Sequence, residues 1–407
     1  MLRELSSAYR TVEKRAQALV RRAIHYYTKD TPPNTLVVYA VIKIIVLLGA
    51  ILVSLLYQPS ELFKNPAFLA NWDGIWYRAI AYQGYAYGYP NSAAFPPMYP
   101  LLIKIFSFNQ PTLMPWVGVL ISNAFSFLGL YFLYKLVPLI VDEKYRLRVC
   151  FAYMVFPVLL VCNLVSYTEP IFLAFTIGAY YYWKRGKFGY AALLAIFSIF
   201  TRQLGALILV IFLVDVLYAY VSHREQSRVT RERSVTREQS RINRELAVIA
   251  ITCVGLAMLY LFYLYRFGNP FIVSKVDAAN WKASFSVTNL FNNLRTYGFQ
   301  GPSSPPFNYI ILPIYLIDTL LVVATILALL KRDVALSTYS FVSLAIFLSM
   351  TSVGNSFVRY VAGIFPLYLF LGLLLSDNWH KNIVIGIIAI VIAIQNMFIW
   401  ISGAWLY

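Results

Sequence analysis

The run TLVVYAVIKIIVLLGAILVSLLY, residues 35–57, is apolar throughout except for a few small or hydroxyl residues and Lys43. A helix rises about 1.5 Å per residue, so a run of roughly 20 such residues crosses the hydrocarbon core of a bilayer. The apolar character is continuous rather than alternating, which selects a helix over a barrel strand. Lys43 is expected to snorkel inward along its own apolar stem. Comparable runs follow at about 113–140, 149–165, 168–183, 188–201, 203–221, 246–266, 308–330, 334–350, 360–375 and 382–403. The chain therefore reads as an all-α polytopic membrane protein, a bundle of about eleven transmembrane helices.

Composition agrees with that class. Of the 407 residues, 60% are hydrophobic and only 13% charged, far less charge than a soluble domain of this size carries. The formal net charge is +17, a value that first suggests nucleic acid. Here the Lys and Arg residues gather in the short connections between apolar runs, where positive charge sets membrane orientation. The expected partner is the bilayer, and no nucleic acid. Cys150, Cys162 and Cys253 all fall inside apolar runs without ligand-like spacing, so neither a disulfide framework nor a metal site is implied.

Alternation then assigns sides. With residue 1 in the cytosol, the connections at 141–148, 183–187, 222–245, 331–333 and 376–381 are cytosolic and, together with residues 1–33, hold most of the basic residues. Those at 58–112, 163–168, 201–203, 267–307 and 351–359 face outward. Residues 1–33 carry seven basic residues, from Arg3 to Lys29, on a helical spacing of apolar ones. They read as an amphipathic helix on the anionic inner leaflet. Residues 34–407 form one transmembrane domain. Its charged connector at 222–245, where Arg224-Glu225-Gln226-Ser227-Arg228 recurs at 237–241, reads as a solvated cytosolic segment.

The outer loop 58–112 holds Asn71-Trp72-Asp73-Gly74-Ile75-Trp76-Tyr77, followed by Ala94-Phe95-Pro96-Pro97-Met98-Tyr99-Pro100. His25, His223 and His380 all fall on the cytosolic side, so acid–base work outside must use a carboxylate. The outward acids are Glu61, Asp73, Glu169 and Asp277. Asp73 follows the first span closely enough to sit at headgroup level, and Trp72, Trp76 and Tyr77 flank it. An interfacial aromatic belt explains the rings but not the acid among them. Arg202 and Arg359 stand at outward span edges, where a guanidinium either anchors the interface or pairs two phosphate oxygens. Arg266, Lys275, Lys282 and Arg295 are weaker candidates. Glu169, before Pro170, suits a helix N-terminus or a substrate. Asp215 and Asp318 lie within spans, Asp215 near enough to the cytosolic end to be solvated.

Trp72-Asp73-Gly74 with Trp76-Tyr77, Ile80-Ala81 and Gly84-Tyr85 resembles the signature of the PIG-V-like family, the second mannosyltransferase of GPI-anchor synthesis and its bacterial relatives. Phe95–Pro100, Ser166–Phe172, Thr201-Arg202-Gln203-Leu204-Gly205 and Arg359-Tyr360 with Phe365-Pro366 match later blocks in the same order. The resemblance spans about residues 70–370. It implies a GT-C fold whose first large outer loop carries the catalytic acid, a polyprenyl-phosphate sugar donor, a lipid or glycolipid acceptor, and no metal or other cofactor. It makes Asp73 the general base of an inverting displacement, with Trp72, Trp76, Tyr77, Tyr99, Glu169, Arg202, Gln203 and Arg359 in substrate binding. It also implies an extracytoplasmic active site, in a bacterial-type plasma membrane rather than the endoplasmic reticulum.

Two other classes fit the span count. A transporter or lipid flippase should carry charge or broken helices near the midplane, in two related halves. Only Asp318 meets that description and no halves are evident. A catalytically silent scaffold is the third reading.

Overall fold

The computed structural model describes residues 30–59, 67–227, 234–280, 307–350 and 356–403, with residues 18, 286, 288 and 289 besides. Of the expected amphipathic helix at 1–33, all but residues 18 and 30–33 lies outside these residues, His25 included, as do Glu61, Lys282 and Arg295. The helices are α1 Pro32–Tyr57, α2 Asp73–Gln83, α3 Met98–Phe106, α4 Met114–Leu136, α5 Arg146–Val155, α6 Pro157–Cys162, α7 Glu169–Lys184 and α8 Phe188–Thr201. They continue as α9 Ile208–Ser227, α10 Ser234–Phe267, α11 Ile272–Asn280, α12 Phe307–Leu329, α13 Val334–Leu348, α14 Phe357–Ala362, α15 Pro366–Leu374 and α16 Trp379–Ile401. No strand occurs among the described residues.

Five helical segments are long and apolar enough to cross a membrane: Pro32–Tyr57, Met114–Ile140, Gln203–Val221, Ser240–Phe267 and Trp379–Ile401. They coincide with the first, second, sixth, seventh and eleventh expected spans. Phe188–Thr201, Ile317–Leu329 and Val334–Leu348 are apolar but shorter. Two further expected spans are interrupted at proline. Residues 149–165 break between α5 and α6, where Phe156 is extended (φ −63°, ψ 113°) ahead of Pro157. Residues 360–375 break between α14 and α15 ahead of Pro366. Proline lacks the amide that would continue the ladder and crowds the residue before it.

The stretch read as the long loop 58–112 is folded from Ala67 onward. Helices α2 and α3, with short 3₁₀ turns between them, pack on each other and on α4. Their inner face is apolar: Tyr77, Ile80, Tyr85, Phe95, Tyr99 and Ile103 join a buried cluster with Tyr263, Phe267, Val273 and Val276 of α10 and α11. A second, larger core runs through α4–α8 and α13–α16. Bonds from the bundle hold the segment from its first turn. The Ser166 amide donates to the Leu69 carbonyl at 2.8 Å, and the Trp400 indole to the Phe68 carbonyl at 2.7 Å.

Lys43 does not reach water along its stem. It is 4% exposed, its ammonium donates to Ser126 Oγ at 2.8 Å, and it lies 5.2 Å and 5.0 Å from the Tyr39 and Phe127 rings. The Ser126 hydroxyl and Phe127 ring of α4, with the Tyr39 ring one turn back on α1, substitute for solvent. Asp215 likewise is paired rather than solvated. It accepts from Lys184 Nζ at 2.9 Å and from the Trp183 indole at 2.9 Å. Lys184 also meets Asp333 at 3.2 Å, and Asp333 caps α13 through the Leu336 amide, tying α7, α9 and α13 together.

Candidate functional site: an ionic chain beside Asp73

Asp73 opens α2. The chain approaches it through a tight turn, with the Gly74 amide on the Asn71 carbonyl and the Ile75 amide on the Trp72 carbonyl, each at 2.9 Å. Trp72 carries φ +54° and ψ −118°, a conformation that costs an L-residue about 1–3 kcal/mol. The turn sets the Asp73 carboxylate at a helix N-terminus, where the peptide dipoles favour negative charge. Glu169 repeats the arrangement at the start of α7, with Pro170 behind it.

The two arginines come from chain breaks. Arg202 follows the last residue of α8 in an extended conformation (φ −148°, ψ 138°). The Thr201 hydroxyl donates to the Phe197 carbonyl at 2.7 Å, and the Gly205 amide returns to the Arg202 carbonyl at 2.8 Å. A Cβ on Gly205 would collide with the Ser198 backbone, so only glycine lets this turn fold against α8. Arg359 sits in the last turn of the short α14.

These four charges form one chain. Arg359 Nη1 donates to Asp73 Oδ2 at 2.7 Å, and Arg359 Nε lies 3.1 Å from Glu169 Oε1. The same Glu169 oxygen accepts from Arg202 Nη1. Exposure falls inward, from 23% at the Asp73 side chain to 8% at Arg359 and 2% at Glu169. Of the two carboxylates, then, Asp73 is the one a substrate could reach. Tyrosine rings hold the guanidiniums: Arg359 is 5.0 Å from the Tyr167 ring and 5.9 Å from Tyr360, and Arg202 is 5.5 Å from Tyr360. A narrow crevice lined by Glu169, Arg202, Arg359, Tyr339, Ser343 and Tyr360 runs from the chain between α7, α13 and α14.

The remaining named residues divide. The Tyr77 hydroxyl is 3.2 Å from Thr168 Oγ1, which Arg202 Nη1 approaches at 3.4 Å. Tyr99 has no exposed surface, and its hydroxyl lies 2.8 Å from the Gly118 carbonyl, 2.8 Å from Ser122 Oγ and 3.0 Å from Ser166 Oγ. It braces the 163–168 turn from beneath. Trp76 stacks on Phe95 at 5.2 Å, which occupies one of its faces, and meets Tyr87 in a T-shaped contact at 5.3 Å. Trp72 is 37% exposed beside Asp73. Gln203 lies beside the Tyr263 hydroxyl, with Asp277 in electrostatic reach of the same group. Sequence reasoning did not single out Ser166, Tyr167, Thr168 or Tyr360. Their signal is membership of the matched blocks Ser166–Phe172 and Arg359-Tyr360, which gives them no individual role. Among the described residues no group of three or more His, Cys, Asp and Glu side chains is placed to share a metal ion.

No protein-family model matches the chain, and none of the curated proteins does. Among solved structures, it is similar to archaeal oligosaccharyltransferase AglB from Archaeoglobus fulgidus in complex with an inhibitory peptide and a dolichol-phosphate. There the TM-score is 0.46 at 12% identity over 93% of this chain and 56% of that one. A crystal structure of the Archaeoglobus fulgidus oligosaccharyltransferase with Zn and sulfate gives 0.43 at 13% identity over 89% and 53%. The chain spans little more than half the length of these structures, and no residue role passes from them to it.

Proposed function

We propose that this chain is a membrane glycosyltransferase of the PIG-V-like kind. It moves a sugar, mannose by family expectation, from a polyprenyl phosphate to a hydroxyl of a lipid or glycolipid acceptor on the extracytoplasmic face. The observation that carries the reading is Asp73, a reachable carboxylate bonded to Arg359, whose guanidinium one buried carboxylate holds together with that of Arg202. Motif order along the chain supports it independently.

In this reading the acceptor oxygen attacks the anomeric carbon from the side opposite the phosphate. Its proton passes to an Asp73 oxygen. The bond between the anomeric carbon and the phosphate oxygen breaks, its electron pair leaves with the polyprenyl phosphate, and the anomeric configuration inverts. Arg359 and Arg202 stabilise the charge that grows on the leaving oxygen, where preorganised donors act most strongly. The aromatic residues around Asp73 offer faces for a sugar ring.

The test is the purified protein with labelled polyprenyl-phosphate sugars and membrane lipid extract. Wild type should form a labelled lipid, and Asp73→Asn should lose that activity by at least about 100-fold, the lower range for a general base. Undiminished transfer by Asp73→Asn removes the assignment.

A transporter reading draws on Lys43 and Asp318, 4% and 5% exposed in apolar helices, because buried intramembrane charges are functional suspects. Movement of a lipid across reconstituted vesicles, without any sugar transfer, would favour it.

A further inference from the structure

The residue read above as the base is already bonded to an arginine read as the phosphate partner. Asp73 Oδ2 and Arg359 Nη1 are 2.7 Å apart, within the range of a charge-assisted hydrogen bond. The Nε side of the same guanidinium faces Glu169 at 3.1 Å. Of the two anions on Arg359, Glu169 is the buried one and Asp73 the exposed one, at 2% against 23%. An incoming anion would therefore meet the edge of Arg359 that Asp73 covers.

We infer that Asp73 occupies the seat on Arg359 that the donor's phosphate takes, so that phosphate binding and release of the Asp73 carboxylate are a single exchange. This rests on the transferase reading of the site. Its chemistry follows from shape and charge. A phosphodiester presents two non-bridging oxygens sharing one negative charge, and a carboxylate presents the same pair, so a guanidinium accommodates either. Arg359 need not move, because Glu169 and the rings of Tyr167 and Tyr360 fix it from other sides. Arg202 is bonded to Glu169 and to Thr168 rather than to Asp73, so Arg359 is the residue at which the exchange occurs. Without donor, the carboxylate is masked by a cation. With donor seated, it is free to accept the proton of the attacking alcohol. The base is thus exposed only when there is a sugar phosphate to react with.

The exchange makes a prediction opposite to that of a simple substrate contact. A residue that only helps bind donor weakens binding when it is neutralised. A residue that competes with donor strengthens it. The experiment measures binding of a prenyl phosphate without sugar to the full-length protein in nanodiscs, so that no turnover intervenes. Asp73→Asn should bind about 10-fold more tightly than wild type, equivalent to removing an internal competitor worth about 1.4 kcal/mol. Asp73→Glu keeps the charge and should stay near wild type. Asp73→Asn combined with Arg359→Gln should lose the gain.

Affinity unchanged or weakened in Asp73→Asn overturns the exchange, as does an equal gain in Asp73→Glu. Sugar transfer is assayed on the same preparations, which separates the two readings. Transfer lost without tighter binding removes the exchange and leaves the base. Tighter binding with transfer intact removes the base and leaves the exchange.

Discussion

Glu169 and Arg202 meet across 33 positions of sequence, and the oxygen they share also faces Arg359. Two like charges at one buried oxygen repel each other, and Glu169 is what holds them adjacent. Removing one partner of such a buried group costs about 3–5 kcal/mol, because the charges left behind are uncompensated. Glu169→Gln should therefore lower the thermal midpoint of the purified protein strongly and weaken prenyl phosphate binding together with it. Melting in detergent by intrinsic fluorescence, beside the binding assay, checks both. Wild-type stability in this variant would mean that the two arginines do not depend on Glu169.

Gly118 tests how the 163–168 turn is seated. A Cβ on Gly118 would collide with Ser166 Oγ, and Ser166 is also a neighbour of the Tyr99 hydroxyl and an amide donor to Leu69. Gly118→Ala should displace that turn, with Thr168 and Glu169 on its far side, at a cost of about 1–3 kcal/mol for overpacking. Transfer should fall with stability. Ser166→Ala removes the obstructing oxygen, so the double variant should recover most of the lost stability. A double variant no better than Gly118→Ala would place the strain elsewhere.

What the sequence made legible follows from which signals are local. The apolar runs announce an all-helical bundle, and five of them stand as helices of membrane-crossing length. Proline breaks do not register in hydropathy: Pro157 and Pro366 each divide a run that hydropathy alone reads as one span. The 58–112 stretch looked like a loop because its Pro, Gly and Tyr content hides α2 and α3. Those helices are stabilised by burying Tyr77, Tyr99 and Ile103 against distant elements rather than by their own periodicity. Asp73, Glu169, Arg202 and Arg359 each stand out in the sequence as separate candidates. Their joining was not legible, since Asp73 and Arg359 lie 286 positions apart and one sequence carries no record of that contact.

Asp277 gives a pH test outside the membrane-spanning helices. It is half-buried on α11, and burial pushes its carboxyl up to about 7 from an ordinary 3.8. Between those values the folded protein keeps a proton that the unfolded chain releases. That contribution to stability is full below about pH 4 and is lost as pH rises through about 7. Asp277→Asn cannot ionise, so its melting temperature should exceed that of wild type at about pH 8 and differ little at about pH 4. Parallel melting curves for the two proteins across this range would show that Asp277 titrates alike in both states.

Lys43 is the last test, because its setting predicts a gain rather than a loss. Its ammonium has a neutral hydroxyl and two rings for company, with Ser126 Oγ at 2.8 Å and no carboxylate among its described ion-pair partners. Ser126 keeps a bond to the Asn123 carbonyl at 2.7 Å, so it is not orphaned when the lysine goes. Burying a charge without an opposite charge to pair it costs desolvation free energy that an apolar side chain of similar volume does not incur. Lys43→Met should therefore melt at or above the wild-type temperature, whereas Lys43→Glu, which has no cation to meet it there, should fail to accumulate in membranes. A clear drop in the melting temperature of Lys43→Met would show that the ammonium contributes more to this helix contact than one hydroxyl and two aromatic faces explain.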